Sequence, residues 1–274
     1  MILPGGLKRG DEWLREFTLR PLDGHSEIIL SETLTTHESW PNRLTRILDC
    51  CVSHIGGEDA DFDRLHDLCV GDRHVIVRAL ILQLGSDLTW FTQDCSDCGE
   101  KFDFSLRYSD LPLKPAGKSF PEVTVKLPNH DEPWTFRVPT GRDQDALDGY
   151  LDEAMVRKKM IQLLLISGSR IEFTDAEEKL IEKAIEETMP ELGFNGQVTC
   201  PNCQSETSVS LDPYARLRSF QADAVFRDVD TIARHYHWSE REILGLSRSR
   251  RKRYLAIIES THGTSQATSS HHVA

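Results

Sequence analysis

Two Cys-x-x-Cys pairs, Cys95-Ser96-Asp97-Cys98 and Cys200-Pro201-Asn202-Cys203, constrain this chain more than any other feature of its sequence. A tetrahedral zinc ion needs four soft or borderline ligands, and a tight turn carrying two cysteines supplies two of them. Here 101 residues, 99 through 199, separate the pairs, where compact two-pair sites have roughly 15 to 20. If both pairs close on one ion, the intervening chain must fold as an insertion. Metal binding of about 10 to 16 kcal/mol in apparent free energy would offset the entropy of closing so long an excursion. The spacing therefore predicts a structural Zn2+ held by Cys95, Cys98, Cys200 and Cys203. Four thiolates leave no open coordination position for catalysis. Seven cysteines is an odd number, which fits metal binding in a reducing compartment better than a disulfide framework. A thioredoxin-like role would place a pair at the start of a helix, whereas both pairs sit between alternating segments. Cys50, Cys51 and Cys69 lie on or beside apolar helical faces and read as small core residues.

Hydrophobic periodicity organises the rest. Trp13, Arg15, Phe17 and Leu19 at period two predict a strand over 12–22. Leu44, Ile47, Leu48, Cys51 and Ile55 predict a helix that starts near Pro41 and stops at Gly56-Gly57. After an acidic connector, Asp72 can cap a second helix carrying Val75, Ile76, Leu80, Ile81 and Leu84, with an apolar arc wide enough to be internal. Leu88 and Trp90 before the first pair, and Phe102, Phe104 and Leu106 after it, alternate as strand, knuckle, strand. Phe194 to Thr199 and then Thr207, Val209 and Leu211 repeat that scheme around the second pair. Between them, 123–127 and 134–138, bridged by Asn129-His130-Asp131, read as a hairpin. Thr140-Gly141 opens a helical segment that includes an apolar patch at 163–166, and 175–189 is amphipathic. Further on, Tyr236 faces a core between His235 and His237, and Ser239 with Glu242 forms a capping box flanked by Trp238 and Ile243.

These patterns predict an α+β chain built on a split four-Cys zinc ribbon of two β-hairpin knuckles, with helical N- and C-terminal parts. The segments are an N-terminal strand and helical region (1–86), the first half of the ribbon (87–110) and an inserted hairpin-plus-helices module (111–193). The second half of the ribbon (194–212), a C-terminal helical region (213–259) and a disordered tail (260–274) follow.

Composition narrows the function. Lys plus Arg total 32 against 44 for Asp plus Glu, a net charge of −12, which argues against general attraction to nucleic acid or anionic lipid. The one basic run, Arg248, Arg250, Arg251, Lys252 and Arg253, reads as a solvated helix face or a local docking patch for an acidic protein neighbour. It is also the sole support for the alternative of a nucleic-acid-binding zinc-ribbon protein. The apolar stretches are too short to cross a bilayer, and the first residues carry no apolar leader, so membrane insertion is not expected. Asp59, Asp61 and Asp63 imitate a calcium loop, but Arg64 and Val70 stand where its Gly and Glu belong. No phosphate-binding glycine loop, nucleophile elbow or zinc-protease helix is present, so neither an enzyme nor a small-molecule substrate is expected.

Several strings in order along the chain resemble the baseplate hub and hub-assembly-chaperone family of T-even-type contractile tails, with relatives in phage-tail-like injection systems. They are Leu3-Pro4-Gly5-Gly6, Phe17-Thr18-Leu19-Arg20-Pro21-Leu22 with Gly24, Gly71-Asp72-Arg73-His74, Cys95-x-x-Cys98-Gly99, Val138-Pro139-Thr140-Gly141, Cys200-Pro201-x-Cys203 and Tyr236-His237-Trp238-Ser239-x-x-Glu242-Ile243. The resemblance implies a non-catalytic part of a baseplate, or a helper in its assembly, that contacts other baseplate or tail proteins. It further implies a location in the cytoplasm during assembly, followed by either incorporation into the particle or departure once assembly is complete.

Overall fold

The structure is a computed structural model that describes residues 1–267 apart from 129, 131, 151, 169–171 and 194, and gives the backbone alone over 262–267. It is a mixed α/β chain with small antiparallel sheets. The chain divides into two compact units, one of Met1–Leu19 with His37–Arg218, the other of Arg20–Thr36 with Ser219–Ala274.

The larger unit opens on a four-stranded antiparallel sheet of Ile2–Arg9, Glu12–Leu19, Val52–Ile55 and Glu58–Asp59 in that order. The expected strand near residue 12 is present, but it is the second member of a hairpin whose first strand the glycines at 5 and 6 disguise. The helix Trp40–Cys51 begins at a Ser39 cap and buries Leu44, Ile47, Leu48 and Cys51. It ends four residues before the expected stop, because Val52 to Ile55, two of them β-branched, pair with Leu19, Thr18 and Phe17. The acidic connector contains the short helix Phe62–Asp67, capped by Asp61.

The central helix Val70–Gln83 buries Val75, Ile76, Val77, Leu80 and Ile81 as its wide arc predicts. Cys69, not Asp72, occupies its N-cap position. Asp72 is fully buried and accepts hydrogen bonds from the amides of Gly5 (3.0 Å) and Gly6 (2.7 Å). A side chain at Gly5 would press to 2.6 Å from Phe120 and 2.7 Å from the Asp72 carboxylate, so the clasp requires glycine there. Arg73, also fully buried, donates to the carbonyls of Leu65 and Pro41 and to the Thr45 hydroxyl. Gly141 passes so close that a Cβ would sit 2.2 Å from its guanidinium. The Val70 amide donates to the Pro139 carbonyl at 3.0 Å. Three strings far apart in sequence thus meet around one helix.

The excursion between the cysteine pairs leaves and returns through a short antiparallel neck, Leu113–Lys114 against Glu191–Leu192. Beyond it, Glu122–Val125, Trp134–Arg137 and Leu165–Ser167 make a three-stranded sheet. The hairpin is the one expected; its bridging residues 129 and 131 lie outside the described residues. The sheet packs with the helices Glu153–Leu164 and Asp175–Thr188 around Trp134, Phe136, Ile161, Leu164, Phe173, Ile181 and Ile185. The expected continuous helical segment after Thr140 is interrupted: Gly141–Ala146 and Glu153–Leu164 are separate helices, and 165–167 is a strand paired with Trp134–Arg137.

The smaller unit holds the helices Gly24–Leu34, Asp223–Tyr236, Glu240–Leu244 and Arg248–Ala267, and the last three bring together Ile232, Ile243 and Ile258. The helix at 24–34 has almost no amphipathic signature in sequence. The expected box is formed, with Glu242 accepting from the Ser239 amide and hydroxyl. Tyr236 stacks on Trp238, and Tyr254 meets both edge-on, with ring centroids 5.0–5.5 Å apart. His237 adopts a left-handed conformation (φ 57°) that ends its helix, so it serves as a backbone turn. Where loss of structure was expected after residue 260, the backbone continues as helix to Ala267. Residues 268–274 of that expected tail lie outside the described residues.

Candidate metal centre

Two hairpins carry the cysteines. Leu88–Asp94 pairs with Lys101–Arg107 in continuous register from Leu88↔Arg107 to Asp94↔Lys101. Asn195–Thr199 pairs with Glu206–Ser210 from Asn195↔Ser210 to Thr199↔Glu206. Alternation on these short strands turns Phe102, Phe104 and Val198 toward Cys95 and Cys200, forming a small apolar cluster under the turns. Phe194, expected to begin the second hairpin, is outside the described residues.

The two turns are built alike. In the first, the Cys95 amide donates to the Glu100 carbonyl (2.9 Å) and the Gly99 amide to the Cys95 carbonyl (3.1 Å). In the second, the Cys200 amide donates to the Ser205 carbonyl and the Gln204 amide to the Cys200 carbonyl, both at 2.9 Å. The fifth residue of each turn is left-handed, Gly99 at φ 73° and Gln204 at φ 63°. Glycine adopts this conformation freely, whereas glutamine is strained by its Cβ. Gln204 partly compensates by donating its side-chain amide to the Pro201 carbonyl at 3.1 Å.

The turns bring all four sulfurs within 4.8 Å of one another. Cys95 Sγ lies 3.6 Å from Cys203 Sγ, and Cys98 Sγ lies 3.9 Å from Cys200 Sγ. Each short separation crosses between hairpins and joins a buried sulfur to an exposed one: Cys95 and Cys200 are buried, Cys98 and Cys203 exposed. All four are free thiols. Such a set could hold one metal ion, and the four cysteines are those that the sequence singled out.

The surroundings favour the thiolate at Cys95 and Cys203. Amides of Cys98 and Asp97 and the hydroxyls of Ser205 and Thr207 hold the Cys95 thiol down to about 5. The hydroxyl and amide of Ser205 also lower Cys203. At Cys98, the Glu100 amide and the Asn202 side chain favour the thiolate, but loss of solvation, joined by the neighbouring sulfurs of Cys203 and Cys95, outweighs them and pushes it up to about 11. Like charges this close cannot all ionise unaided, and a cation at their centre removes the conflict. Ser205 is 3.4 Å from Cys95 and 3.0 Å from Cys203, Thr207 donates to Cys95 at 3.7 Å and Asn202 to Cys98 at 3.7 Å. Spacing of cysteines does not reveal these three polar neighbours, because the fold of the second hairpin aims them across to the first.

Neither pair begins a helix; each joins two strands. Among the other cysteines, Cys51 and Cys69 are buried and Cys50 is half-buried. The basic run does not form the expected single docking patch. Arg251 is fully buried and donates to Glu27 at 2.5 Å, Arg248 binds the other oxygen of Glu27 at 2.5 Å, and Lys252 donates to Asp228 at 3.3 Å. Arg250 and Arg253 remain exposed. Helical spacing turns 248, 251 and 252 toward the acidic groups and leaves 250 and 253 outside. No helix among the described residues is long and apolar enough to cross a membrane. Comparison with family models, with curated proteins and with solved structures finds no match to this chain.

Proposed function

We propose that Cys95, Cys98, Cys200 and Cys203 bind a structural Zn2+ that closes a split zinc ribbon. The observation that carries this reading is the sulfur geometry. Four sulfurs at about 2.3 Å from a tetrahedral zinc stand about 3.8 Å apart, and the two cross-hairpin separations are 3.6 and 3.9 Å. With four thiolates engaged, the ion holds shape and offers no position to a substrate. Elemental analysis tests this: the protein purified under reducing conditions should carry one zinc. Cys95→Ser and Cys203→Ser should lose it, whereas Cys50→Ser should keep it. Equal zinc content in all variants would overturn the ligand assignment.

On this footing the chain works as a non-enzymatic structural or assembly-chaperone component of a contractile phage tail or phage-tail-like injection baseplate, acting through contacts with other baseplate or tail proteins. The sequence resemblance motivates this reading. Three of its strings support a structural role, since Gly5-Gly6, Asp72-Arg73 and Val138 to Gly141 are spent on internal hydrogen bonding and close backbone packing. Nucleic-acid binding finds less support, because three of the five basic residues pair with Glu27 and Asp228. Deleting the gene from a producing strain should give incomplete baseplates, and affinity capture should recover tail proteins. Intact particles from the deletion strain would refute the assembly reading.

A further inference from the structure

The cross-hairpin placement of the sulfurs gives the same four residues a second chemistry. We propose that they are an oxidation site in which a hydroperoxide converts the metal clamp into two disulfides between the hairpins, Cys95–Cys203 and Cys98–Cys200. The inference rests on the zinc reading for the state before oxidation, and on the sulfur positions alone for the pairing. The separations are 3.6 and 3.9 Å. Closing to a disulfide length of about 2.05 Å asks each sulfur to move less than about 1 Å.

Burial assigns the roles. Cys98 and Cys203 are exposed and meet the oxidant first, while Cys95 and Cys200 are buried beside them. An exposed thiolate attacks one peroxide oxygen, giving a sulfenic acid and hydroxide. The buried thiolate across the ribbon then attacks the sulfenic sulfur, forming the S–S bond and expelling a second hydroxide. Each disulfide transfers two electrons to one peroxide. Four thiolates and two molecules of hydrogen peroxide therefore yield two disulfides and four hydroxides, and the ion leaves as Zn2+ once its four anionic ligands are gone.

This outcome differs in kind from disulfide formation within a Cys-x-x-Cys pair. Links inside a pair would release each turn from the other, whereas links between pairs keep the hairpins tied tip to tip. The ribbon would then be clamped by metal under reducing conditions and by covalent bonds under oxidising ones, with little change in shape.

The test treats the zinc-loaded full-length protein with hydrogen peroxide, follows released zinc with a chromophoric chelator, blocks free thiols and maps disulfides by mass spectrometry without reduction. The expected result is one zinc released per two peroxides consumed, with linked peptides joining 95 to 203 and 98 to 200. Cys203→Ser should retain only the 98–200 link. Links of 95 to 98 and 200 to 203, links to Cys50, Cys51 or Cys69, or sulfinic acids in place of disulfides would each overturn the proposal. A reduced protein without zinc that still forms the cross-hairpin links would refute the zinc reading while supporting the pairing; zinc-loaded protein linked within pairs would do the reverse.

Discussion

Glu27 anchors the smaller unit, and its removal should be felt far beyond its own helix. The carboxylate is fully buried, with one oxygen 2.5 Å from Arg251 and the other 2.5 Å from Arg248. Arg251 is itself fully buried, and its remaining carboxylate neighbour, Asp228, lies 3.7 Å away on a second helix. Replacing Glu27 with Ala strands a buried guanidinium, a change that costs about 3 to 5 kcal/mol. An exposed pair such as Lys183 and Glu187, 3.9 Å apart, contributes only about 0.3 to 0.5 kcal/mol. The difference can be read by hydrogen exchange of amides in 223–258, whose opening should accelerate roughly a hundred- to several-thousand-fold. The double variant Glu27→Met/Arg251→Met removes both buried charges and should recover much of the loss, since an apolar pair of similar volume avoids the desolvation cost. Exchange in Glu27→Ala within about threefold of wild type would refute the argument. So would a double variant as damaged as the sum of its parts.

Three further outcomes follow from the geometry of the larger unit. Burial, with a smaller contribution from Arg73, lowers His74 from its ordinary 6.5 to about 4. Above pH 6.5 the imidazole is neutral in both folded and unfolded chains and contributes no pH dependence. As pH falls from 6.5 toward 4, only the unfolded chain takes up the proton, so wild type should lose about 3 kcal/mol relative to His74→Gln; urea midpoints of the two proteins at pH 7 and 4.5 would show a constant gap if this is wrong. At the turns, Gly99→Ala forces a Cβ into left-handed backbone with no neighbouring atoms to blame, and should cost about 1 kcal/mol. Gln204→Gly relieves the same strain but forfeits the Pro201 contact, so its gain should be smaller; zinc retention against a competing chelator should rank Gln204→Gly above wild type and Gly99→Ala below it.

The four clustered cysteines were legible because tight turns impose fixed spacing and paired thiols announce their chemistry. The knuckle hairpins and the box at Ser239 were legible for a similar local reason. A strand pattern or a cap depends on residues within a few positions. The strand Ile2–Arg9 was hidden because Gly5 and Gly6 break the alternation, and their conformation has meaning only once Asp72 is placed against their amides. Asp72 itself reads as a cap from sequence, since an acidic residue near a helix start has that role when nothing distant claims it.

What the sequence determined by itself was periodicity, punctuation and ligand spacing: a mixed α/β chain, two cysteine turns on short hairpins, and the absence of any familiar catalytic motif. Tertiary structure alone decided which sulfur faces which, which basic residues remain outside, and that residues near 27 fold with a helix near 251. Glu27 and Arg251 are separated by 224 positions, and neither can be buried without the other. Burying a charge is unfavourable until a partner arrives, so its destination depends on the whole fold and not on its neighbours in the chain.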